Sequence, residues 1–271
     1  MGIKLVAYKI AKFASEIKNI YQQKGAKEML FFLIERIKNY IIRGVDFVQD
    51  GLSAEFSRVL AMATGKNLVY VIGNSHVSAF RGDWRFIVCP IGAATAHNLN
   101  KKNSSTRSNE QLLEIISKIK RDRDYVMLVF GEIDCRIHFY NIYMKNKKRV
   151  SLPALMQRTI SNYGEVLLLL KRKNFKLIVH GIPPASTQDN VYRVEFYAPS
   201  KIRVKINKKF NTILKVFCKK NSIPYFDVYS FTVDDYGFIK KEYAADEVHL
   251  NGKIKRIFWN WAREELPQLK Q

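Results

Sequence analysis

A layered α/β fold, in which helices cover both faces of a parallel sheet, is what the sequence predicts, and three observations predict it. From about residue 65, five short runs rich in β-branched residues recur along the chain. Each run is almost continuously apolar, where a half-exposed strand would alternate, and stretches of helix length with helical periodicity separate them. Strands buried on both faces read as unbroken apolar runs, and regular alternation of strand with helix favours parallel pairing.

The candidate strands are Leu68 to Ile72, Phe86 to Cys89, Tyr125 to Phe130, Leu177 to His180 and Tyr225 to Val228. Helices are expected over Asn109 to Lys120, Leu152 to Leu170 and Lys205 to Lys219; in the last, Ile206, Phe210, Ile213, Leu214 and Phe217 line one face. Ahead of the first strand, residues 2–48 read as one or two basic amphipathic helices. Leu30, Leu33, Ile34, Ile37 and Ile41 recur there at helical spacing, with Lys27, Arg36, Lys38 and Arg43 between them. The expected division is a helical extension over 1–64 and an α/β domain over 65–271. No internal repeat, GxGxxG or Walker A pattern occurs, so a nucleotide on a Gly-rich turn is not expected.

With 271 residues, 47% hydrophobic and 13% aromatic, the chain can bury a full core, and with 7 Pro and 13 Gly it is neither collagen-like nor low-complexity. Cys89, Cys135 and Cys218 are too few and too scattered for a disulfide framework, and a reducing compartment is the simpler expectation. Neither a CxxC pair nor metal-ligand spacing among His97, His138 and His180 offers a metal site. Lys4, Lys9 and Lys12 interrupt the stretch where a signal peptide needs an apolar run. Met29 to Ile34, the longest strongly apolar run near the start, falls far short of the ~20 residues that span a bilayer. The expected location is cytoplasmic, with peripheral contact at the inner membrane face through residues 1–48.

Charge is the unusual property: 46 basic residues against 24 acidic ones give +22. It is unevenly spread, with +6 in residues 1–45, +2 in 46–144, +15 in 145–220 and −1 in 221–271. Such a block is either a solvated face or a surface for an anion, since uncompensated like charges repel.

In a parallel sheet, ligands bind beyond the carboxyl ends of the strands, so the residues after each strand matter most. Gly73-Asn74-Ser75-His76 follows the first. There Ser75 would meet backbone N–H groups at a helix start, either as a nucleophile or as an ordinary cap. Gly92 follows the second strand, where a bare backbone N–H can approach a ligand. Gly131-Glu132-Ile133-Asp134-Cys135-Arg136 follows the third, and Asp246-Glu247-Val248-His249 precedes the final helix. A serine hydroxyl needs a base, and a neutral imidazole needs a carboxylate to orient it; Ser75, His249 and Asp246 supply those three roles.

Those four blocks, in that order, resemble the SGNH/GDSL hydrolase superfamily over residues 67 to about 260. The string Phe130 to Arg136 is similar to that of a bacterial subgroup associated with surface-polysaccharide biosynthesis. The resemblance implies a three-layer flavodoxin-like sandwich with a five-stranded parallel sheet. It implies Ser75 as nucleophile, His249 as base, Asp246 as orienting acid, and an oxyanion hole from the backbone N–H groups of Ser75 and Gly92. The family's third oxyanion donor is an Asn side chain at the position held here by Ile133, which cannot donate; Asn74, Asn98 and Arg136 are the candidate replacements. The family's Asp before the serine is Asn74.

Arg136 reads either as a clamp on a substrate anion or as an ion-pair partner of Glu132 or Asp134, and Asn98 as a further substrate contact. His76 reads as a substrate contact, a residue behind the site, or merely a polar helix start, and Cys135 as a buried thiol. The expected function is acyl-ester chemistry on an anionic carbohydrate through an acyl-enzyme. The acyl group passes to water in an O-acetylesterase, or from a donor such as acetyl-CoA to a sugar in an O-acetyltransferase; no bound cofactor is expected. The alternatives are a catalytically weak glycan- or polyanion-binding protein on the same fold and, less favoured, a nucleic-acid-binding protein, for which no recognised motif is present. Oligomeric state is not legible.

Overall fold

In the computed structural model, residues 22, 49–119, 122–187 and 195–269 are described. The amphipathic helices expected over residues 2–48 therefore lie, apart from residue 22, outside the described residues. The chain divides into two compact units, Met1–Leu52 and Ser53–Gln271. The second begins ahead of residue 65, with the part of helix α1 that runs over residues 53–64. Ala61 is fully buried there and Ala54 packs against the same core, which ties this helix to the sheet.

Five strands form that sheet: β1 (Val69–Gly73), β2 (Phe86–Pro90), β3 (Tyr125–Val129), β4 (Lys176–His180) and β5 (Tyr225–Phe226). All pair in parallel in the order β2-β1-β3-β4-β5, which is the flavodoxin-like order. Side chains alternate across each strand. Tyr70, Ile72, Val126, Leu128, Leu177 and Val179 face one layer, while Val69, Val71, Tyr125, Met127, Val129 and Ile178 face the other.

The first layer holds α2 (Ser108–Ser117), α4 (Leu152–Arg172) and α5 (Ser200–Lys220), which bury Leu112, Ile160, Leu167, Ile206, Phe210 and Leu214. The second holds a 3-10 turn, Ser75–Phe80, and α7 (Ile254–Glu265), which bury Val77, Phe80, Phe258 and Trp261. The short helices α3 (Phe139–Lys145) and α6 (Val228–Thr232) complete the unit, and a π-helical turn, Asp134–His138, leads into α3.

The short helices α3 and α6 were not expected from the sequence, and the other differences sit at element ends. The fifth strand stops at Phe226 because Asp227 caps α6, its carboxylate accepting the Ser230 N–H. Helix α5 begins at Ser200, ahead of the apolar stripe that identifies it. Its early start is fixed by Arg203, which is 1% exposed and donates to the carbonyls of Ala198 and Ser186. No helix among the described residues is long and apolar enough to cross a membrane.

Candidate active site

Strand order reverses between β1 and β3, since the chain goes from β1 outward to β2 and then returns to the other side of β1. The crevice at such a reversal is the standard ligand position in this architecture. Two of the four sequence blocks leave the sheet there. Gly73 lies opposite Val129 in register, and a Cβ at Gly73 would stand 2.2 Å from the Val129 carbonyl oxygen. Only glycine permits that approach, and the Asn74 N–H then donates to the same carbonyl at 3.3 Å.

Asn74 caps the Ser75–Phe80 turn, its Oδ1 accepting the His76 N–H at 3.1 Å. The chain after β2 is bound alongside, because the Ile91 N–H donates to the Gly73 carbonyl at 2.8 Å. Gly92 follows at φ +73°, with open space on its Cβ side, where a side chain would strain the backbone and intrude on the crevice.

The fourth block arrives from the far end of the chain. Asp246 Oδ1 accepts the backbone N–H groups of Val248 and His249, both at 2.8 Å, which folds the loop back on its own carboxylate. His249 Nδ1 lies 2.8 Å from Asp246 Oδ2 and 3.0 Å from Oδ1. An ionised carboxylate only accepts, so Nδ1 carries the proton and Nε2 presents a lone pair. That lone pair meets the Ser75 hydroxyl, with Oγ 2.8 Å from Nε2. Ser75 is exposed and His249 half-buried, so the line Asp246, His249, Ser75 opens to solvent at its serine end.

Electrostatics follow from these contacts. Burial raises the Asp246 carboxyl, but the two backbone N–H groups and the His249 ring outweigh it and leave Asp246 below the usual carboxylate range. Burial, reinforced by the neighbouring His76, holds His249 below the usual histidine value, although Asp246 and Glu132 pull the other way.

Behind His249 lies a second pair. The His76 ring centre is 4.8 Å from that of His249, and His76 Nε2 is 3.2 Å from Glu132 Oε2. Arg136 Nε donates to Glu132 Oε1 at 2.5 Å and its Nη2 to Oε2 at 3.1 Å. His76, Glu132 and Arg136 are all buried. Burial alone would raise Glu132, yet His76 and Arg136 prevail and take it down to about 2. Of the courses open to Arg136, the structure shows the ion pair with Glu132, because i,i+4 spacing on the turn lays the guanidinium over that carboxylate. His76 is likewise turned inward, away from the substrate contact that the sequence allows. His180, at the end of β4, joins this layer, packing edge-on to Phe80 and Phe226.

The rest of the third block is structural. Asp134 accepts the N–H groups of Ala96 at 2.8 Å and His97 at 3.2 Å, pinning the loop that follows Gly92. Burial carries its carboxyl to about 7, with repulsion from Glu132 adding to the effect and the backbone N–H groups opposing it. Ile133 is half-buried and offers no side-chain donor. Asn74 Nδ2 is buried with no hydrogen-bond partner among the described residues, a spare donor one residue before Ser75. Asn98 lies on the loop Asp134 pins, its N–H donating to Thr95 Oγ1 at 3.3 Å. Cys135 is fully buried, which pushes its thiol well above the usual range.

One feature had no sequence signal. A shallow, open depression is lined by Asp234, Lys240, Lys241 and Glu242. It adjoins the histidine loop, since Asn251 Nδ2 donates to the Glu242 carbonyl at 2.9 Å and its N–H to the Tyr243 carbonyl at 2.7 Å. Among the described residues no cluster of His, Cys, Asp and Glu could hold a metal ion.

A family model described as GDSL-like lipase/acylhydrolase matches residues 50–262. No curated protein matches. Among solved structures, a Bacteroides fragilis protein assigned as an acylhydrolase is 19% identical, with a TM-score of 0.51 over 75% of this chain and 88% of its own. A Streptococcus pneumoniae protein assigned as a platelet activating factor is 13% identical, with a TM-score of 0.52 over 86% of this chain and 97% of its own. At such identities the likeness is one of fold.

Proposed function

Because the chain belongs to the GDSL-like lipase/acylhydrolase family, a family of hydrolytic serine esterases, we propose that it cleaves an O-acyl ester, with acetyl the leading candidate, from a carbohydrate, using Ser75, His249 and Asp246. The observation that carries this reading is the unbroken hydrogen-bonded line from Asp246 through His249 to an exposed Ser75.

In this reading Ser75 Oγ attacks the acyl carbonyl as His249 Nε2 takes its proton. The imidazolium so formed is held by Asp246, whose carboxylate is kept ionised by the loop's own N–H groups. The carbonyl oxygen becomes an oxyanion received by the backbone N–H groups of Ser75 and Gly92. His249 then returns the proton to the departing sugar oxygen, leaving an acyl group on Ser75. Water attacks that ester, again deprotonated by His249, releasing the carboxylic acid and restoring the serine. A sugar hydroxyl in place of water, with acetyl-CoA as acyl donor, would make the same machinery an O-acetyltransferase.

Ile133 sets the expected pace, since lack of one oxyanion donor costs about 10² to 10³ in rate. The spare Nδ2 of Asn74 is the nearest replacement along the chain. The test is hydrolysis of p-nitrophenyl acetate by the wild type and by Ser75→Ala, both checked for folding by circular dichroism. Loss of at least about 10³-fold in kcat/KM supports the reading, and equal rates would overturn it. Acetyl-CoA supplied with an unmodified glycan separates transfer from hydrolysis.

A further inference from the structure

Part of the charge that stands out in the sequence gathers on one helix. Helix α5 carries eight basic residues over its 21 positions and no acid. Arg203 is buried and structural, whereas Lys201, Lys205, Lys208, Lys209, Lys215, Lys219 and Lys220 are exposed. At the α-helical repeat these seven lie within about 140° of one another around the axis and run about 30 Å along it. Among the described residues only Lys215 has a carboxylate partner, Asp227 at 2.8 Å. A row of unneutralised ammonium groups on a rigid helix raises its own energy by mutual repulsion and lowers it when a polyanion lies along the row.

The row starts at the end of the sheet that carries the site. The chain leaving β4 emerges at the carboxyl end of the sheet and α5 runs back from there, so Lys201 and Lys205 stand at the site's end of the helix. The link between them is continuous. Val204 packs against the turn at Gly237, where an added Cβ would stand 2.3 Å from Val204 Cγ1. That turn leads into the depression where Lys240 and Lys241 stand beside Asp234 and Glu242, and the depression adjoins the loop that carries His249, so the net positive charge of the path comes from α5.

From this placement we infer that the substrate is an acidic polysaccharide, one acylated unit lying at Ser75 while neighbouring carboxylate-bearing units pass the Lys240–Lys241 depression and lie along the lysine face of α5. The inference rests on the carbohydrate-ester reading and narrows it to uronate-type polymers.

The experiment compares O-acetylated polygalacturonate, O-acetylated xylan as a neutral polymer, and p-nitrophenyl acetate, with the wild type and with the triple variant Lys205→Gln, Lys208→Gln, Lys209→Gln. The variant is expected to raise KM on the acidic polymer about tenfold while leaving kcat, and both constants on the small ester, within about twofold. Raising salt from about 50 to about 300 mM should weaken the wild type on the acidic polymer and leave the small ester untouched. Equal losses on all substrates, an unchanged KM on the acidic polymer, or a wild-type preference for xylan would overturn the inference.

Binding of unmodified polygalacturonate to Ser75→Ala, measured by calorimetry, tests the face without catalysis, so an inert enzyme that still binds separates failure of the catalytic reading from failure of this one. Tighter binding of duplex DNA or of phosphatidylglycerol vesicles than of polygalacturonate at physiological salt would also overturn it.

Discussion

Two histidine–carboxylate pairs stand with their rings 4.8 Å apart, and they are built for opposite purposes. In His249–Asp246 the side chains are 26% and 56% exposed; in His76–Glu132 they are 3% and 7% exposed. Asp246 is secured by backbone N–H groups of its own loop, which leaves the far nitrogen of His249 free to meet Ser75. Glu132 is instead occupied on both oxygens by Arg136 and His76, so nothing in that pair faces a reactant. The same two residue types form an exposed pair that meets a serine hydroxyl in one case, and a buried pair held beside an arginine in the other.

The largest expected effect falls on the open pair. His249→Ala should lower kcat/KM for p-nitrophenyl acetate by at least about 10³-fold, and Asp246→Asn by about 10³, with little loss of thermal stability because an exposed pair contributes only about 0 to 1 kcal/mol. A large fall in Tm for Asp246→Asn would break the comparison.

The sealed pair should respond in the opposite sense. Glu132→Gln leaves Arg136 without its buried counter-charge, and a loss of roughly 3 to 5 kcal/mol in unfolding free energy is expected in a denaturant titration. Wild-type stability should share this dependence. Glu132 is held at about 2, below its unfolded value, so its contribution is whole above the unfolded carboxyl range and is lost as pH falls towards about 2. Unchanged stability in Glu132→Gln would show that the pair carries no structural weight.

A smaller effect tests the gap beside the open pair. Ile133→Asn restores an amide where the family has one, and kcat should rise about 10-fold or more if the oxyanion hole is one donor short. No gain would mean that another group, with Asn74 foremost, already fills the place.

The smallest effect probes the contact between the two rings. His249 must be neutral to accept the serine proton, and burial first, then His76, keep it below the usual histidine value. Removing His76 as His76→Asn should therefore move the acid limb of the kcat/KM profile to higher pH, by less than about one unit. A limb that stays in place would show that the rings are neighbours without coupling.

Much of this was legible along the chain. The five apolar runs identify β1 to β5 because strands buried on both faces have no polar positions to blur them. Ser75, Asp246 and His249 stand out because they directly follow a strand or directly precede the last helix. The boundary errors have local causes, as at Asp227, where a capping carboxylate ends β5, and at Arg203, whose buried guanidinium extends α5 upstream of its apolar stripe. The two buried acids were not separable by sequence. Glu132 and Asp134 are two residues apart, yet one is driven to about 2 by His76 and Arg136 beside it and the other to about 7 by burial with only backbone N–H partners.

The sequence by itself determined the layered fold, the three residue types a serine esterase needs, and the uneven distribution of charge, because periodicity, residue chemistry and composition are properties of a linear string. The sequence pairs His249 with Ser75 by residue role, and the tertiary structure makes that pairing a contact. His76 is the neighbour of Ser75 in the chain, yet His249, 174 residues away, is the one within hydrogen-bond distance. The turn after β1 sends the His76 side chain inward to Glu132, and the loop closed by Asp246 brings His249 over the hydroxyl. Likewise the sequence counted the lysines of α5, but the fold sets the first of them at the sheet's carboxyl end, because proximity between distant segments is created by packing.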